Sequence, residues 1–430
     1  MLTVLFRAFR VPDLRKKLLF TLAIIGLFRL GQILPAPGVD VVAVQQCLGT
    51  ARGGLFDMVQ MLSGGAMLKL SVFALGVMPY ITASIVMQLL TVVVPRLETL
   101  RKEGQSGQAK ITQYTRYLTI GLAVLNATTV VALARGGQLL PGCARPLLRD
   151  ESLLGVAVVV VTLVAGTSMV MWLGELVTDR GIGNGMSILM FTQVVAFFPS
   201  YMSTIFVLSP FAFGMLLVTG VFLVAAVVFI EQAQRRIPVQ YAKRAVGRRM
   251  YGGSSTYIPL KVNQAGIVPV IFATSLLYLP TLAAPLLGDE VGGWVSRNIT
   301  AGTHPLYMIG FFLLIVGFAY FYVSITFNPV EVADNMRRYS GFVPGIRPGT
   351  PTARYLAYVL SRLTAPGAVY LGVLALLPLL AFAILRDPST QQNFPFGGTS
   401  ILIMVGVGLE TVKQIEAQLQ QRNYEGFLRK

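Results

Sequence analysis

Apolar residues run through this chain in blocks too long and too uniform to be one face of a soluble helix. A bilayer core about 30 Å thick takes roughly 20 helical residues at about 1.5 Å each. Blocks of that order lie at 18–34, 117–133, 153–174, 184–208, 211–230, 265–286, 306–327, 365–385 and 397–412. A tenth, 53–94, is broken. It opens with a short amphipathic run, 55–62, stops at Ser63-Gly64-Gly65, and is expected to resume as one apolar helix with Pro79 inside it. The first run rises only about 12 Å as a helix, so it can enter a membrane part way but not cross it. Backbone that stops at membrane depth must lie in protein or in a water-lined cavity, because lipid cannot satisfy N–H and C=O groups. The break therefore points to a cavity with a short helix seated in it, hinged on glycines. The alternative is an extracytosolic surface loop with some helix.

Other interruptions set the organisation. The first span ends at Pro35-Ala36-Pro37-Gly38, a strong helix stop. Residues 1–20 place apolar and basic residues on different faces, as in an interfacial helix on an anionic leaflet. Arg29 lies inside the first span near its end, where a long side chain is expected to snorkel. Ten spans divide at the short link Ser209-Pro210 into halves 1–208 and 209–430. Five spans per half leave the halves oppositely oriented, the arithmetic of an inverted repeat with its working site between the halves. No clear sequence identity relates them, so the repeat follows from topology.

Composition agrees. Of 430 residues, 54% are hydrophobic and 12% charged, against about 25% charged in soluble domains; the fold class is an all-α polytopic membrane protein. No cleavable signal peptide is expected in the first residues. With both termini in the cytosol, 27 of the 35 Lys and Arg residues fall on cytosolic segments and 7 on the other side, as the positive-inside rule requires. Cys47 and Cys143 are too few for a disulfide framework, and whether they pair is open.

The formal charge of +17 then becomes a question of which loops hold it. The two long cytosolic loops, 231–263 and 328–364, are basic and rich in turn residues. In the second, Arg347 stands between Pro344-Gly345 and Pro348-Gly349; in the first, 244–249 forms the tip. Arginines on defined turns suit an anionic partner, RNA or an acidic protein surface; the bland alternative is that they only enforce topology. Catalytic chemistry is missing. The one histidine, His304, precedes Pro305 and reads as a loop residue, and no H-E-x-x-H, G-x-S-x-G or P-loop is present. The reading is not an enzyme, with no cofactor and no metal. Glu175 and Glu410 sit near span ends, which disfavours an ion-coupled transporter, and no acid ring or carbonyl filter suggests an ion channel. Val77, Ile81 and Ile85 are spaced four apart on one face beside Thr82, Ser84 and Gln88. That stripe is either packing or an apolar constriction that shuts by dewetting. The leading reading is a passive conduit driven by a partner. A secondary transporter of a small solute competes with it, and a membrane scaffold is the weaker third.

Eight stretches then resemble the SecY family, the central subunit of the bacterial protein-conducting channel. They are LPAPGVD at 34–40, SGGAMLKLSVFALGVMPYITASIVMQLL at 63–90, RKEGQSGQAKITQYTRYLT at 101–119, LGELVTDRGIGNGMSILMF at 173–191, EQAQRRIPVQYAKR at 231–244, IPLKVNQAGIVPVIFATS at 258–275, NPVEVADNMRRYSGFVPGIRPGTPTARYL at 328–356 and FGGTSILIMVG at 396–406. The resemblance implies ten transmembrane helices in two inverted five-helix halves around a central hourglass pore that opens like a clamshell. It implies a non-spanning plug at 55–65, with Leu55, Phe56, Met58, Val59, Met61, Leu62, Gly64 and Gly65. It implies a pore ring of Val77, Ile81, Ile188, Ile271 and Ile403; the last three are placed by eye, and Val77 is one methylene smaller than the family's usual isoleucine. Leu34 likewise replaces an isoleucine. A lateral gate would run past Ile85, Gln88 and Asn126 on one side and Thr274 and Ser275 on the other. Arg347, Lys243, Arg244, Arg248, Arg249, Arg337 and Arg338 would dock the SecA motor or the translating ribosome. SecE would clamp the halves and SecG would lie at the periphery. The implied role is to move unfolded secretory chains across the bacterial inner membrane and to release transmembrane segments sideways into lipid, with anionic lipids at the cytosolic face.

Overall fold

Each apolar block of the sequence carries one helix of 16 residues or more in the computed structural model. The structure describes residues 9–48, 64–136, 146–150, 152–208, 210–241, 244–246, 249–251, 255–283, 288–295, 298, 304–385 and 398–428. In chain order the helices are α1 (Pro12–Ile33), the short α2 (Val41–Leu48), α3 (Met78–Val93), the short α4 (Pro95–Lys102), α5 (Gln105–Arg135), α6 (Leu153–Arg180), α7 (Gly185–Leu208) and α8 (Pro210–Gln232). After a stretch of strand come α9 (Val268–Ala283), the short α10 (Gly288–Val295), α11 (Pro305–Thr326), α12 (Pro329–Arg338), α13 (Thr350–Leu385) and α14 (Gly398–Leu428). Among the described residues, Gln105–Arg135, Leu153–Arg180, Pro305–Arg338 and Thr350–Leu377 are each long and apolar enough to cross a membrane alone. The pair α3 and α4, bent by 98°, would make a fifth crossing. Outward faces are apolar on the shorter helices too: Phe222 and Phe229 on α8 are 72% and 78% exposed. A helix apolar all round has no water-facing side, so those faces belong in lipid.

The broken element differs from expectation. Pro79 is not inside a helix; it lies in the first turn of α3, where its missing N–H costs nothing. Residues 64–77 are a run of turns, with positive φ at Gly64, Gly65, Leu70 and Gly76. This irregular backbone is buried in protein: Leu70, Ser71 and Ala74 have no exposed surface. Its polar groups are paired with the end of α1. Ala36 N–H donates to Leu70 O (2.9 Å), Val72 N–H to Leu34 O (2.9 Å) and Phe73 N–H to Gly31 O (3.2 Å). Glycine makes room for it. A Cβ on Gly166 of α6 would lie 1.9 Å from Val72 O, and one on Gly31 of α1 would lie 2.2 Å from the Phe73 ring. The segment is thus wedged between α1 and α6, one of the two kinds of place, inside protein or beside a water-lined cavity, where non-helical backbone survives at membrane depth.

Two smaller expectations change. α1 runs unbroken from Pro12, so Arg15, Lys16 and Lys17 share one helix with the first span; Phe9 and Arg10 are helical ahead of a bend at Val11, and residues 1–8, with most of the expected interfacial helix, lie outside the described residues. Arg29 is half-buried and donates from Nη1 to Gln32 Oε1 at 2.6 Å, so it is held by a neighbour one turn on. Opposite the polar loops, the segments 38–40 and 147–149 are hydrogen-bonded: Asp40 N–H to Leu147 O and Arg149 N–H to Gly38 O, both 2.9 Å. Cys47 on α2 is disulfide-bonded, and the chain's one other cysteine is Cys143. At the start of α6, Ser152 N–H and Oγ–H both donate to Asp150, which holds that carboxyl below its usual range.

The two basic loops are not separate. Strands β1 (Gln234–Tyr241), β2 (Arg244–Val246), β3 (Arg249–Tyr251) and β4 (Ser255–Lys261) come from the first; β5 (Gly341–Phe342) comes from the second. β1 pairs antiparallel with β4 from Gln234↔Lys261 to Gln240↔Ser255, and its other edge takes β5 through Gln240↔Phe342. Under this sheet, Ile237, Val239 and Leu260 pack on Met336 of α12, Val343, and Leu356 and Val359 of α13. The second loop is also shorter than read, because α13 begins at Thr350, well before its apolar part.

Candidate functional site

Val77 is the residue before α3, and its carbonyl accepts from Ile81 N–H at 3.1 Å. With Ile81 on α3, Ile188 on α7, Ile271 on α9 and Ile403 on α14, it belongs to one apolar cluster that also holds Ile85, Phe272 and Met404. The five residues expected to form a ring thus come together from four helices of both chain halves. Val77, Ile188, Ile271 and Ile403 are buried and Ile81 is half-buried. None of their side chains offers a hydrogen bond, so a passage between them would hold water poorly and shut by dewetting.

Ile81 and Ile271 also line a cavity of about 410 Å³. Its walls come from α3 (Tyr80, Ser84, Ile85, Gln88), α5 (Thr112, Arg116), α6 (Glu175, Thr178, Asp179), the start of α7 and the start of α9. One side is aliphatic and the other is polar. Arg101 Nη2 donates to Ile325 O (3.3 Å), which ties α4 to the end of α11. The polar side contains a pairing that the sequence reading missed. Arg116 donates from Nε and Nη2 to Glu175 Oε1 and Oε2, both at 2.8 Å, and from Nη1 to Gln113 Oε1 at 3.1 Å. A two-point bond of this kind fixes the relative orientation of α5 and α6. The available signal was opposite charges at the same end of two consecutive antiparallel spans; the sequence reading takes Arg116 only as a marker of topology and Glu175 only as an argument against an ion-coupled transporter.

Of the expected gate residues, Ile85 and Gln88 line the cavity opposite Ile271 and Phe272. Thr274 and Ser275 are buried on α9. Thr274 Oγ1 donates to Ile271 O (2.9 Å), while the Ser275 hydroxyl has no partner. Phe272 sets its ring edge-on to Phe318 (5.5 Å) and Tyr322 (6.2 Å), joining α9 to α11. Asn126 is half-buried on α5 and does not line the cavity. The expected plug residues Leu55, Phe56, Met58, Val59, Met61 and Leu62 lie outside the described residues. The hinge after them does not: Gly64 and Gly65 have φ of 63° and 79°, and Gly64 sits against Gln193 of α7 and Gln32 of α1.

At the sheet end, Arg347 is exposed on a turn braced by Gly345 (φ 80°) and Gly349 (φ 102°), and its carbonyl accepts from Thr352 Oγ1 at 2.8 Å. Arg337 and Arg338 are exposed on the last turn of α12, where they also complement the helix dipole. Arg244 and Arg249 stand on the β2–β3 hairpin, paired with Tyr251 and Val246; Lys243 and Arg248 lie outside the described residues. Arg236 is stacked on Tyr257, 4.8 Å from the ring centre.

Comparison with known proteins agrees with this arrangement. The family model SecY matches residues 71–412. A protein translocase subunit SecY of Streptomyces galbus is 62% identical over the whole of both chains. Among solved structures, one described as a protein-conducting channel superposes with a TM-score of 0.64 at 19% identity, covering 93% of this chain and 91% of that one. Sec61 in a canine ribosome–channel complex superposes at 0.62 with 20% identity, over 93% and 91% of the two chains. Those two structures speak to the fold. With identity running from end to end in the bacterial relative, and the family model matching residues 71–412, this chain belongs to the SecY family.

Proposed function

We propose that this chain is a passive protein-conducting channel of the bacterial cytoplasmic membrane. It passes unfolded secretory chains through the aliphatic waist and releases apolar segments into lipid between α3 and α9. The observation that carries this is the meeting of Val77, Ile81, Ile188, Ile271 and Ile403 beneath a cavity walled by both halves. An apolar collar grips any side chain without selecting for charge, which a conduit for varied sequence needs and a solute-specific transporter does not. The halves 1–208 and 209–430 would part about the link at 209–210, and the 55–65 segment would stop the waist from the side away from the sheet. Both termini lie in the cytosol in this reading, by the excess of basic residues on that side. Energy comes from outside: the exposed arginines of the sheet end suit the SecA motor or the translating ribosome. SecE would clamp the halves and SecG would lie beside them.

The test is a secretory chain stalled in transit in vesicles that hold the complex, with a photo-crosslinker replacing Ile81. Adducts between Ile81 and the stalled chain support the conduit. Absence of adducts together with saturable, gradient-driven uptake of a small solute overturns it.

A further inference from the structure

The β1–β4 hairpin enters directly from α8 and leaves directly toward the gate helix α9. Its seven paired positions make a stiff arm about 20 Å long. The base of that arm is closed twice. Val262 N–H donates to Ala233 O at 3.0 Å, and the Asn263 side-chain amide donates to the carboxylate of Glu231, the last turn of α8. The same amide nitrogen also donates to Gly266 O (3.2 Å), in a turn where Gly266 has φ 63° and Ile267 O accepts the first hydrogen bonds of α9. Asn263 is 3% exposed and its Oδ1 has no partner, so these two donations alone set where its amide sits. The turn has no slack. A Cβ on Gly367 of α13 would lie 2.4 Å from Val262 O, and one on Gly406 of α14 would lie 2.8 Å from the Ile267 side chain. One side chain therefore joins the root of the arm to the root of the helix that carries Ile271, Thr274 and Ser275.

We infer that Glu231 and Asn263 are positioning residues: their joint carries a push on the hairpin into movement of α9, and so couples partner docking to gate opening. A lever transmits only if its base is closed and its output is held. The first condition is the Asn263–Glu231 bond and the second is the Asn263–Gly266 bond. The inference rests on the docking reading above. It adds that docking and gating are separable, since neither Glu231 nor Asn263 belongs to the exposed docking arginines.

The experiment uses the full channel complex in vesicles, with Cys47 and Cys143 replaced by serine and a donor–acceptor dye pair on Gln88→Cys and Leu276→Cys. Purified bacterial ribosomes are the docking probe. In Asn263→Ala and Glu231→Ala, ribosome affinity is expected within about twofold of the parent, while the docking-induced change in dye distance is lost. Glu231→Gln, whose amide oxygen still accepts from Asn263, is expected to keep that change. A full gate response in Asn263→Ala overturns the inference, and so does a loss of affinity that accounts for the lost response. If the parent channel itself does not bind ribosomes, the docking reading fails first and the joint falls with it.

Discussion

The apolar cluster around Val77, the proposed waist, and the sheet end of this molecule are built on opposite principles. The waist collects five aliphatic side chains from four helices and gives them no polar partner. The sheet end sets exposed arginines on a β-sheet and on glycine-braced turns. On the reading proposed above, one region would work by offering no specific chemistry, the other by offering a charge of one sign in a defined place. A passage that must fit many sequences gains from the first, and a surface that must find one partner gains from the second.

That contrast can be broken from either end. The largest effect is expected from Arg347→Glu, which reverses charge on a fixed turn. Delivery of a secretory protein into vesicles should fall by about tenfold or more, while the amount of channel in the membrane stays normal. Normal delivery would remove Arg347 from the docking surface. Next is the waist: deleting residues 55–62 should raise ion leak through the resting channel several-fold, about as expected when a dewetted constriction loses its stopper. An unchanged conductance counts against the plug. A smaller effect, and one that should touch neither function directly, comes from Gly166→Val. The new Cβ would meet Val72 O, and overpacking of this kind costs about 1–3 kcal/mol, readable as a lower unfolding temperature in detergent. The smallest is Cys47→Ser. Thiol labelling of the denatured, unreduced chain should rise from no free thiol to one, with little change in delivery, since the hydrogen bonds between 38–40 and 147–149 remain.

How much of this was legible in the residues varies with the physics that controls each part. The apolar blocks were readable because lipid demands about 20 apolar residues per crossing whatever the neighbours are. The glycine break at 64–65 was readable for a related reason, since a run too short to cross must stop somewhere protected. The form of the chain after the break was not. Residues 66–77 are apolar enough for helix, and nothing local says that Gly31, Leu34 and Ala36 will take up their backbone groups, or that Gly166 will leave them room, and so make an irregular path cheaper. The Arg116–Glu175 pair was hidden in the same way, because it needs α5 and α6 to stand in one register. So was the union of the two basic loops, which depends on a two-residue strand, Gly341–Phe342, too short to carry a periodic signal.

By itself, then, the order of residues determined which segments are apolar enough to enter the membrane, which loops are basic and which aliphatic positions were candidates for a constriction. These follow from transfer free energies that each segment feels alone. Tertiary structure decided the rest: that Val77, Ile81, Ile188, Ile271 and Ile403 meet, that residues 64–77 give up helix for contacts with α1 and α6, and that Asn263 ties the hairpin to α9. Each of those outcomes needs groups far apart in the chain to satisfy one another's hydrogen bonds or fill one another's space, and no local pattern encodes where a distant partner will stand.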